Sequence, residues 1–442
     1  MRKFPYRFLM DQSFSRTDAF AEICRGGNGK VLIRRRKMPL EDLLYSMLCR
    51  KGLTLKLELR NYMKTTHPGT EISKPGYLKQ RMKLDPEAIR YFYQYHLRNF
   101  YQDPEITPYL YKGYLVLAAD GSDINIPTTP ETLAAFGNAS RNGTKMQAQI
   151  GLGCLYDVLN RFILESDLNP PKFNETETAE DQIRDITEII GTRYPFFVIM
   201  DRGYPSIPSF MRMIDSGTMF VIRLKSSDFK AEQQAMKSDD EDVEIRLTKS
   251  RRNHYIGTEN EAIVMSRESF TMRFVTVRLE NGQSEVLATN LPRNIFPAES
   301  IGEIYHMRWK IETAFETLKD RLQLENFTGT KPRLLEQDIY STIYVSNLAE
   351  DIIADVEEQQ KDHLANDYKH MMQLNRSVSI GILKNDLIYL LIEPDAAVKE
   401  RMLSDLYREI SENIVPIRED RHYHRTKGVL AGKYSNTHKR CF

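Results

Sequence analysis

Hydrophobic and polar positions recur with two different periods along this chain, and the change of period divides it. Leu40, Leu43, Leu44, Met47 and Leu48 are apolar at helical spacing, with Gly52 as a stop. Leu53, Leu55, Leu57 and Leu59 then alternate with polar residues as a strand would, and the pattern alone leaves this run undecided. After the break Ser73-Lys74-Pro75-Gly76-Tyr77, the triplet Asp85-Pro86-Glu87 supplies an N-cap and a proline at the first helical position. It predicts a helix through Tyr91, Tyr93 and Leu97. Residues 1–105 therefore read as a helical domain whose short basic helices suit either a DNA groove or a docking role.

From residue 106 the pattern becomes that of strands. Tyr114-Leu115-Val116-Leu117-Ala118-Ala119 is a buried-strand run ending in Asp120-Gly121, and Pro195-Phe196-Phe197-Val198-Ile199-Met200 is a second, ending in Asp201-Arg202-Gly203-Tyr204. Between them, Ala148 to Leu152 and Arg161 to Leu164 predict an antiparallel meander, and Thr178 to Ile190 a helix. Strand-like runs from Phe220 to Thr289 predict a β-rich insert, with Asn281-Gly282 as a hairpin turn. With its flanks the insert spans 206–297 of a unit covering 106–330. Residues 331–442 read as a helical region, with helices over Tyr340–Val356, Asp362–Leu374, Val378–Leu391 and Ala396–Ile410, followed by a basic tail.

The stretch Tyr305–Lys319 reads as one helix. At ~100° per residue, Tyr305, Arg308, Glu312 and Lys319 fall within about 60° of one another, while Ile304, Met307, Ile311, Phe315, Leu318 and Leu322 gather on another side. The helix has an apolar back to bury and a front bearing a phenol, a guanidinium, a carboxylate and an ammonium. Taken alone, such a face is also what a solvated helix with an i, i+4 ion pair shows.

Composition narrows the class without deciding it. Hydrophobic residues make up 41% and charged residues 28% of 442, as in a globular protein of several domains. No apolar run reaches the ~18 residues of a membrane span, and no apolar segment follows Met1-Arg2-Lys3, so neither a membrane helix nor a secretory signal is expected. The dispersed Cys24, Cys49, Cys154 and Cys441 argue for a reducing cytosol and against a disulfide scaffold or a zinc site. Net charge is +1, but Arg34-Arg35-Arg36-Lys37 is a basic cluster, and Arg421–Phe442 holds basic residues and no acid. Such patches on a neutral chain fit a DNA-binding protein that keeps a carboxylate site.

Three carboxylates stand out: Asp120 and Asp201 at strand ends, where ligands collect in α/β sheets, and Glu312 on the charged helix. Carboxylates suit Mg²⁺, which prefers a few acids together with substrate phosphate oxygens. Tyr305-(2)-Arg308-(3)-Glu312-(6)-Lys319 resembles the Y-(2)-R-(3)-E-(6)-K signature of bacterial DDE transposases of the insertion-sequence-4 type. Leu117-Ala118-Ala119-Asp120-Gly121 and Val198 to Tyr204 are similar to that family's first and second acid regions, and Ser73 to Ile89 to the segment before its core.

The resemblance implies an α/β fold with an RNase H-like catalytic core and a β-rich insertion, flanked by an N-terminal helical domain and a C-terminal helical region. Asp120, Asp201 and Glu312 would be the catalytic and metal-binding residues, holding two Mg²⁺ or Mn²⁺. Water would cut DNA at the ends of an insertion sequence, and the freed 3′-OH would attack target DNA. Tyr305, Arg308 and Lys319 would hold phosphates; Arg202 and the insert's Arg251 and Arg252 complete the candidate DNA-binding set. In family members that cut through a hairpin intermediate, a flipped base stacks on an aromatic, often a Trp of the insert. The single tryptophan here, Trp309, lies in the signature, so the stack would fall to another aromatic such as His254, Tyr255 or Phe270, or the hairpin step would differ. The implied partners are double-stranded DNA and a second copy of the chain when two ends are paired, in a bacterial cytoplasm at the nucleoid. Two other readings stand beside it: a catalytically silent, domesticated DNA-binding protein, and a metal-dependent nuclease without strand transfer.

Overall fold

The fold is organised on strand β1, Leu115–Asn125, in a computed structural model that describes residues 3–32, 37–139, 146–279, 282–366, 368 and 370–417. Arg34 to Arg36 of the basic cluster, Asn281 of the predicted turn and the basic tail lie outside the described residues. Strand β1 is apolar and fully buried from Leu115 to Ala119, as a strand covered on both faces must be. It does not stop at Asp120. Strand β2 (Gln149–Asp157) pairs with it antiparallel from Leu117↔Asp157 to Asn125↔Gln149, and this hydrogen-bonded partner carries β1 five residues past the acid.

Strand β3 (Phe162–Asn169) pairs antiparallel with β2, the expected meander. On the other side of β1, strands β4 (Phe196–Met200) and β5 (Met219–Arg223) run parallel to it. Parallel neighbours need a crossover, and helices Glu175–Asp185 and Ile207–Asp215 supply them. Three antiparallel strands followed by two parallel ones, in the order β3-β2-β1-β4-β5, form an RNase H-like core.

The span 206–297 thus contains two kinds of chain. Its first part, through β5, completes the core in the parallel sense. Its second part adds β6 (Asp240–Arg246), β7 (Ser269–Arg278) and β8 (Ser284–Thr289) as an antiparallel extension in the order β5-β8-β7-β6. The pairs Arg223↔Leu287 and Leu287↔Val275 leave three further residues of β7 and β8 projecting beyond the end of β5. The hairpin therefore stands about 10 Å proud of the end of β5, at ~3.4 Å per residue.

Helices cover the sheet. We number the ones used below α1 (Phe4–Ser15), α2 (Pro86–Tyr101), α3 (Glu175–Asp185), α4 (Ala298–His306), α5 (Trp309–Glu316), α6 (Pro332–Gln359), α7 (Arg376–Ile392) and α8 (Ala396–Glu412). Asp85 caps α2 as expected, accepting from the Glu87 N–H at 3.1 Å. The undecided leucine run resolves as helix Leu55–Thr66, because Leu55, Leu59, Tyr62 and Met63 form one buried face at helical spacing. The predicted helix Asp362–Leu374 is shorter: a helix spans Lys361–Asn366, and Met372–Leu374 pairs instead with Ile414–Pro416 as β9 with β10.

Helix α6 is the axle between the two ends of the chain. It is buried nearly throughout, and its polar residues are satisfied from far away in sequence. Asn347 accepts from the Ile163 N–H and donates to the Ile163 carbonyl, both at 2.9 Å, fixing α6 to β3. Arg81 donates to Asp338 at 2.8 Å, and Arg7 to Asp351 at 2.9 Å. Asp355 accepts from the Phe4 N–H at 3.2 Å and from the Tyr407 hydroxyl at 2.6 Å. N-terminal and C-terminal helices thus close on the same element, and one continuous apolar core runs through all of them.

Candidate active site

Strand register sets the first two acids side by side. Ala118 on β1 is level with Ile199 on β4, and two residues farther along each strand stand Asp120 and Asp201. Asp201 lies just past the end of β4, where its carboxylate accepts from the Gly203 N–H at 2.6 Å and turns the chain. Asp120 is inside its strand rather than at its end, but beyond the reach of β4, and its side chain is largely buried, 18% exposed, against Arg308. It accepts from the Gly121 N–H at 2.9 Å.

The signature segment is not one helix. Helix α4 ends at His306, and tight i→i+3 bonds from Met307 to Ile304 and from Arg308 to Tyr305 (both 3.1 Å) turn the chain before α5 begins. After Glu316 a π-turn, Thr317–Arg321, overlays the end of α5, closed by Leu322 N–H donating to the Thr317 carbonyl at 3.0 Å. The apolar back survives both breaks, with Ile304, Ile311 and Leu318 fully buried. The front is redistributed along β1. Arg308 donates to Asp120 at 3.3 Å and to Glu312 at 2.8 Å. Lys319 donates to the Ser122 hydroxyl at 2.8 Å and the Asp123 carbonyl at 2.7 Å, and Glu325 accepts from the Asn125 N–H at 2.9 Å. Glu312, seven residues before a Lys that the π-turn re-aims, is thereby tied to Asp120 through one guanidinium.

Charge is concentrated here. Burial pushes the Asp120 carboxyl up to about 7; the Gly121 N–H and Arg308 pull against this, and Asp201 and Glu175 reinforce it. Burial works against the charge on Arg308, but Glu312, Tyr305 and Asp120 outweigh it and hold the guanidinium protonated. Burial lowers the Lys319 ammonium and raises the Tyr305 phenol.

Glu175, not among the acids predicted above, belongs to this group as well. It is the first residue of α3, and a Cβ on Gly121 would come within 2.9 Å of its carboxylate. Although much of Glu175 is open to solvent, that carboxyl end is packed on β1 and bonded by Tyr204. Its pKa is raised by burial, then by Asp201 and Asp123, against the Tyr204 bond. Nothing local in the sequence marks it, because a fold contact alone brings α3 over Gly121.

The remaining candidates divide. Arg202 is exposed beside Asp201, and Tyr305 is buried next to Arg308. Arg251 and Arg252 are not brought to the acids. They follow β6, the edge strand farthest from β3, whose C-terminal end lies at the opposite end of the sheet from Asp120 and Asp201. Arg251 is committed to Glu232 through bonds of 2.7 and 2.9 Å, and Arg252 to the Arg267 carbonyl at 2.8 Å. His254, Tyr255 and Phe270 share that distant edge, and Phe270 is buried. Trp309, in contrast, is 44% exposed with its ring 5.2 Å from the Arg308 guanidinium carbon.

Residues 111–348 match the family model described as the transposase DDE domain, a span that takes in Asp120, Asp201 and Glu312. The chain belongs to that family. This transposase is 24% identical over 430 residues to the transposase InsG for insertion sequence element IS4 of Escherichia coli strain K12, covering 94% of this chain and 91% of that one. It is 23% identical over 336 residues to the transposase for insertion sequence element IS231C of Bacillus thuringiensis subsp. berliner, covering 66% of this chain and 67% of the relative. It is thus a DDE transposase of the insertion-sequence-4 type. Among solved structures, the piggyBac transposase synaptic complex with hairpin DNA overlays 93% of this chain on 87% of its own, at 11% identity and a TM-score of 0.47.

DDE transposases use divalent metal ions, and the donor chemistry here is compatible: all-oxygen carboxylates suit a hard cation. Among the described residues no three acids stand close enough to share one ion as placed. A cation does already bridge two of them, since the Arg308 guanidinium lies between Asp120 and Glu312. Among the described residues no helix is long and apolar enough to cross a membrane.

Proposed function

We infer that Asp120, Asp201 and Glu312 form the catalytic centre with which this transposase cuts double-stranded DNA at insertion-sequence ends and joins the freed 3′-OH to target DNA. The observation that carries the reading is the juxtaposition of Asp120 and Asp201 on neighbouring parallel strands, with Glu312 linked to Asp120 through Arg308. Two Mg²⁺ or Mn²⁺ held by these acids would activate the attacking hydroxyl and stabilise the leaving oxygen of an in-line displacement. The chain's own groups position the DNA. Arg308 presents a planar fork to a phosphate beside Glu312, and Tyr305 buttresses it. Lys319 offers a point charge next to β1, and Arg202 a solvent-facing one beside Asp201. The projecting β7–β8 hairpin walls one side of the edge where the duplex would lie. Two subunits would pair two ends, in the bacterial cytoplasm at the nucleoid.

The test is to incubate the purified protein with Mg²⁺ and the DNA flanking its own gene, then sequence the products. Element ends covalently joined to new target sites are the expected result. Cut ends that never become joined would leave a nuclease, and intact DNA despite binding would leave a silent DNA-binding protein. In the same assay Lys319→Ala is expected to reduce joining by about tenfold, consistent with loss of one phosphate contact. The log-log salt slope of end binding should become shallower by about one. Unchanged joining and an unchanged slope would make Lys319 a purely structural tie to Ser122.

A further inference from the structure

We propose that Arg308 is a phosphate-operated latch: without DNA it occupies the position between Asp120 and Glu312, and a DNA phosphate must draw it away before a divalent ion can bind there. The proposal deepens the catalytic reading above and rests on it.

Three features of Arg308 carry the idea. First, it is 8% exposed and its guanidinium contacts both acids at once, at 3.3 Å to Asp120 and 2.8 Å to Glu312. A guanidinium and a divalent ion cannot share that interval, because both are cations needing the same carboxylate oxygens and the same space. Second, the arrangement is incomplete. The Arg308 Nε is buried without a hydrogen-bond partner, and the bond to Asp120 is longer than the ~2.7–2.9 Å of a good charge-assisted contact. A phosphate oxygen would complete the fork, so the guanidinium has a better partner available than the one it holds. Third, one guanidinium contacts both carboxylates. Once Arg308 turns to a phosphate, the oxygens it held need another cation, which a divalent ion supplies. The like charge of Asp201 and Glu175 beside Asp120 sharpens that need.

Linkage makes the consequence reciprocal: DNA tightens the divalent ion, and the ion tightens DNA, by the same factor. A latch of this kind keeps the acids inert on a free protein and arms them only against a phosphodiester.

The experiment is a calorimetric titration of the full-length protein with Mn²⁺ alone, with and without an element-end duplex, the heat of Mn²⁺ on free duplex being subtracted. Wild type should bind Mn²⁺ at least about tenfold more tightly with DNA than without, within the usual ~5–150-fold range of coupling. Arg308→Gln should bind Mn²⁺ without DNA at least about tenfold more tightly than wild type, and the coupling should collapse. Electron paramagnetic resonance of bound Mn²⁺ would report the same change spectroscopically. Equal Mn²⁺ affinity with and without DNA in wild type overturns the latch, as does an Arg308→Gln affinity no tighter than wild type. Asp120→Asn separates this from the catalytic reading: if Mn²⁺ binding survives it in every state, the assignment of the acids fails and takes the latch with it, whereas Mn²⁺ binding that Asp120→Asn abolishes but DNA does not tighten sinks the latch alone. Should Arg308→Gln not fold, the wild-type comparison and its reciprocal, Mn²⁺ tightening the duplex, still decide the question.

Discussion

Asp120→Asn, Asp201→Asn and Glu312→Gln are each expected to lower DNA cleavage by about 10³-fold or more. Bound divalent ions would supply several kcal/mol of charge stabilisation in phosphoryl displacement, and each ~1.4 kcal/mol is a factor of ten in rate. Pairwise combinations should cost little beyond the single changes, since the acids would act as one unit. End binding should survive, because each change removes negative charge from a surface that faces phosphates. Asp120→Asn carries a second signature. Burial and its acidic neighbours push this carboxyl up to about 7, so its charged form is costly in the folded state. The amide should therefore leave metal-free stability equal or higher while activity falls, the trade expected at a functional site. Substantial cleavage by any one of the three variants in Mg²⁺ removes that acid from the centre.

The second large effect is on folding. Arg7 and Asp351 are both fully buried, and His96 joins them, 3.4 Å from Asp351 and 2.7 Å from Asp11, which also accepts from Tyr344 at 2.8 Å. Arg7→Met is expected to cost about 3–5 kcal/mol, because it takes the guanidinium from a buried carboxylate and leaves only His96 beside it. The same cluster sets a pH dependence. Burial disfavours the imidazolium of His96, but Asp11 and Asp351 outweigh it and raise its pKa from 6.5 to about 9. A raised pKa means the folded state holds the proton more tightly. The stabilisation is therefore complete below pH 6.5, declines as pH climbs, and is gone above about 9. Asp351 behaves oppositely: burial raises its carboxyl, but Arg7 and His96 outweigh this and hold it below 3.8, so its contribution is lost only as pH falls through that region. Urea midpoints should thus fall between pH 6.5 and 9, and His96→Gln should flatten that alkaline limb. An unaltered limb in the variant would assign the pH dependence to other groups.

What could be read from the sequence was what depends on neighbours in sequence. The apolar runs before Asp120 and Asp201 mark buried strands because covered strands have no polar face, and the cap at Asp85 is a local geometric device. The signature's residue types were legible, but their arrangement was not. A helical wheel over Tyr305–Lys319 assumes one period, whereas the turn at Arg308 and the π-turn after Glu316 each change it. Asp120 looked terminal because the apolar run stops there; strand β2, paired antiparallel with β1, is what carries it onward. Arg251 looked like a free cation because its partner, Glu232, is reached by folding rather than by helical spacing. Glu175 escaped notice for the same reason, its neighbour Gly121 lying across the sheet.

The closure of both chain ends on helix α6 has a consequence for the order of events at the ribosome. Arg7 and Asp351, which must meet in a buried pair, are 344 positions apart, and Lys399 reaches Gln12 across 387. During synthesis the first hundred residues therefore emerge with their apolar and ionic faces unmatched, and must wait for nearly the whole polypeptide before they can be covered. Contacts of such sequence separation make for slow closure and a long exposure to aggregation. A message truncated before α6 would yield a chain without its central support, so a partial product should be cleared rather than persist as a DNA-binding fragment.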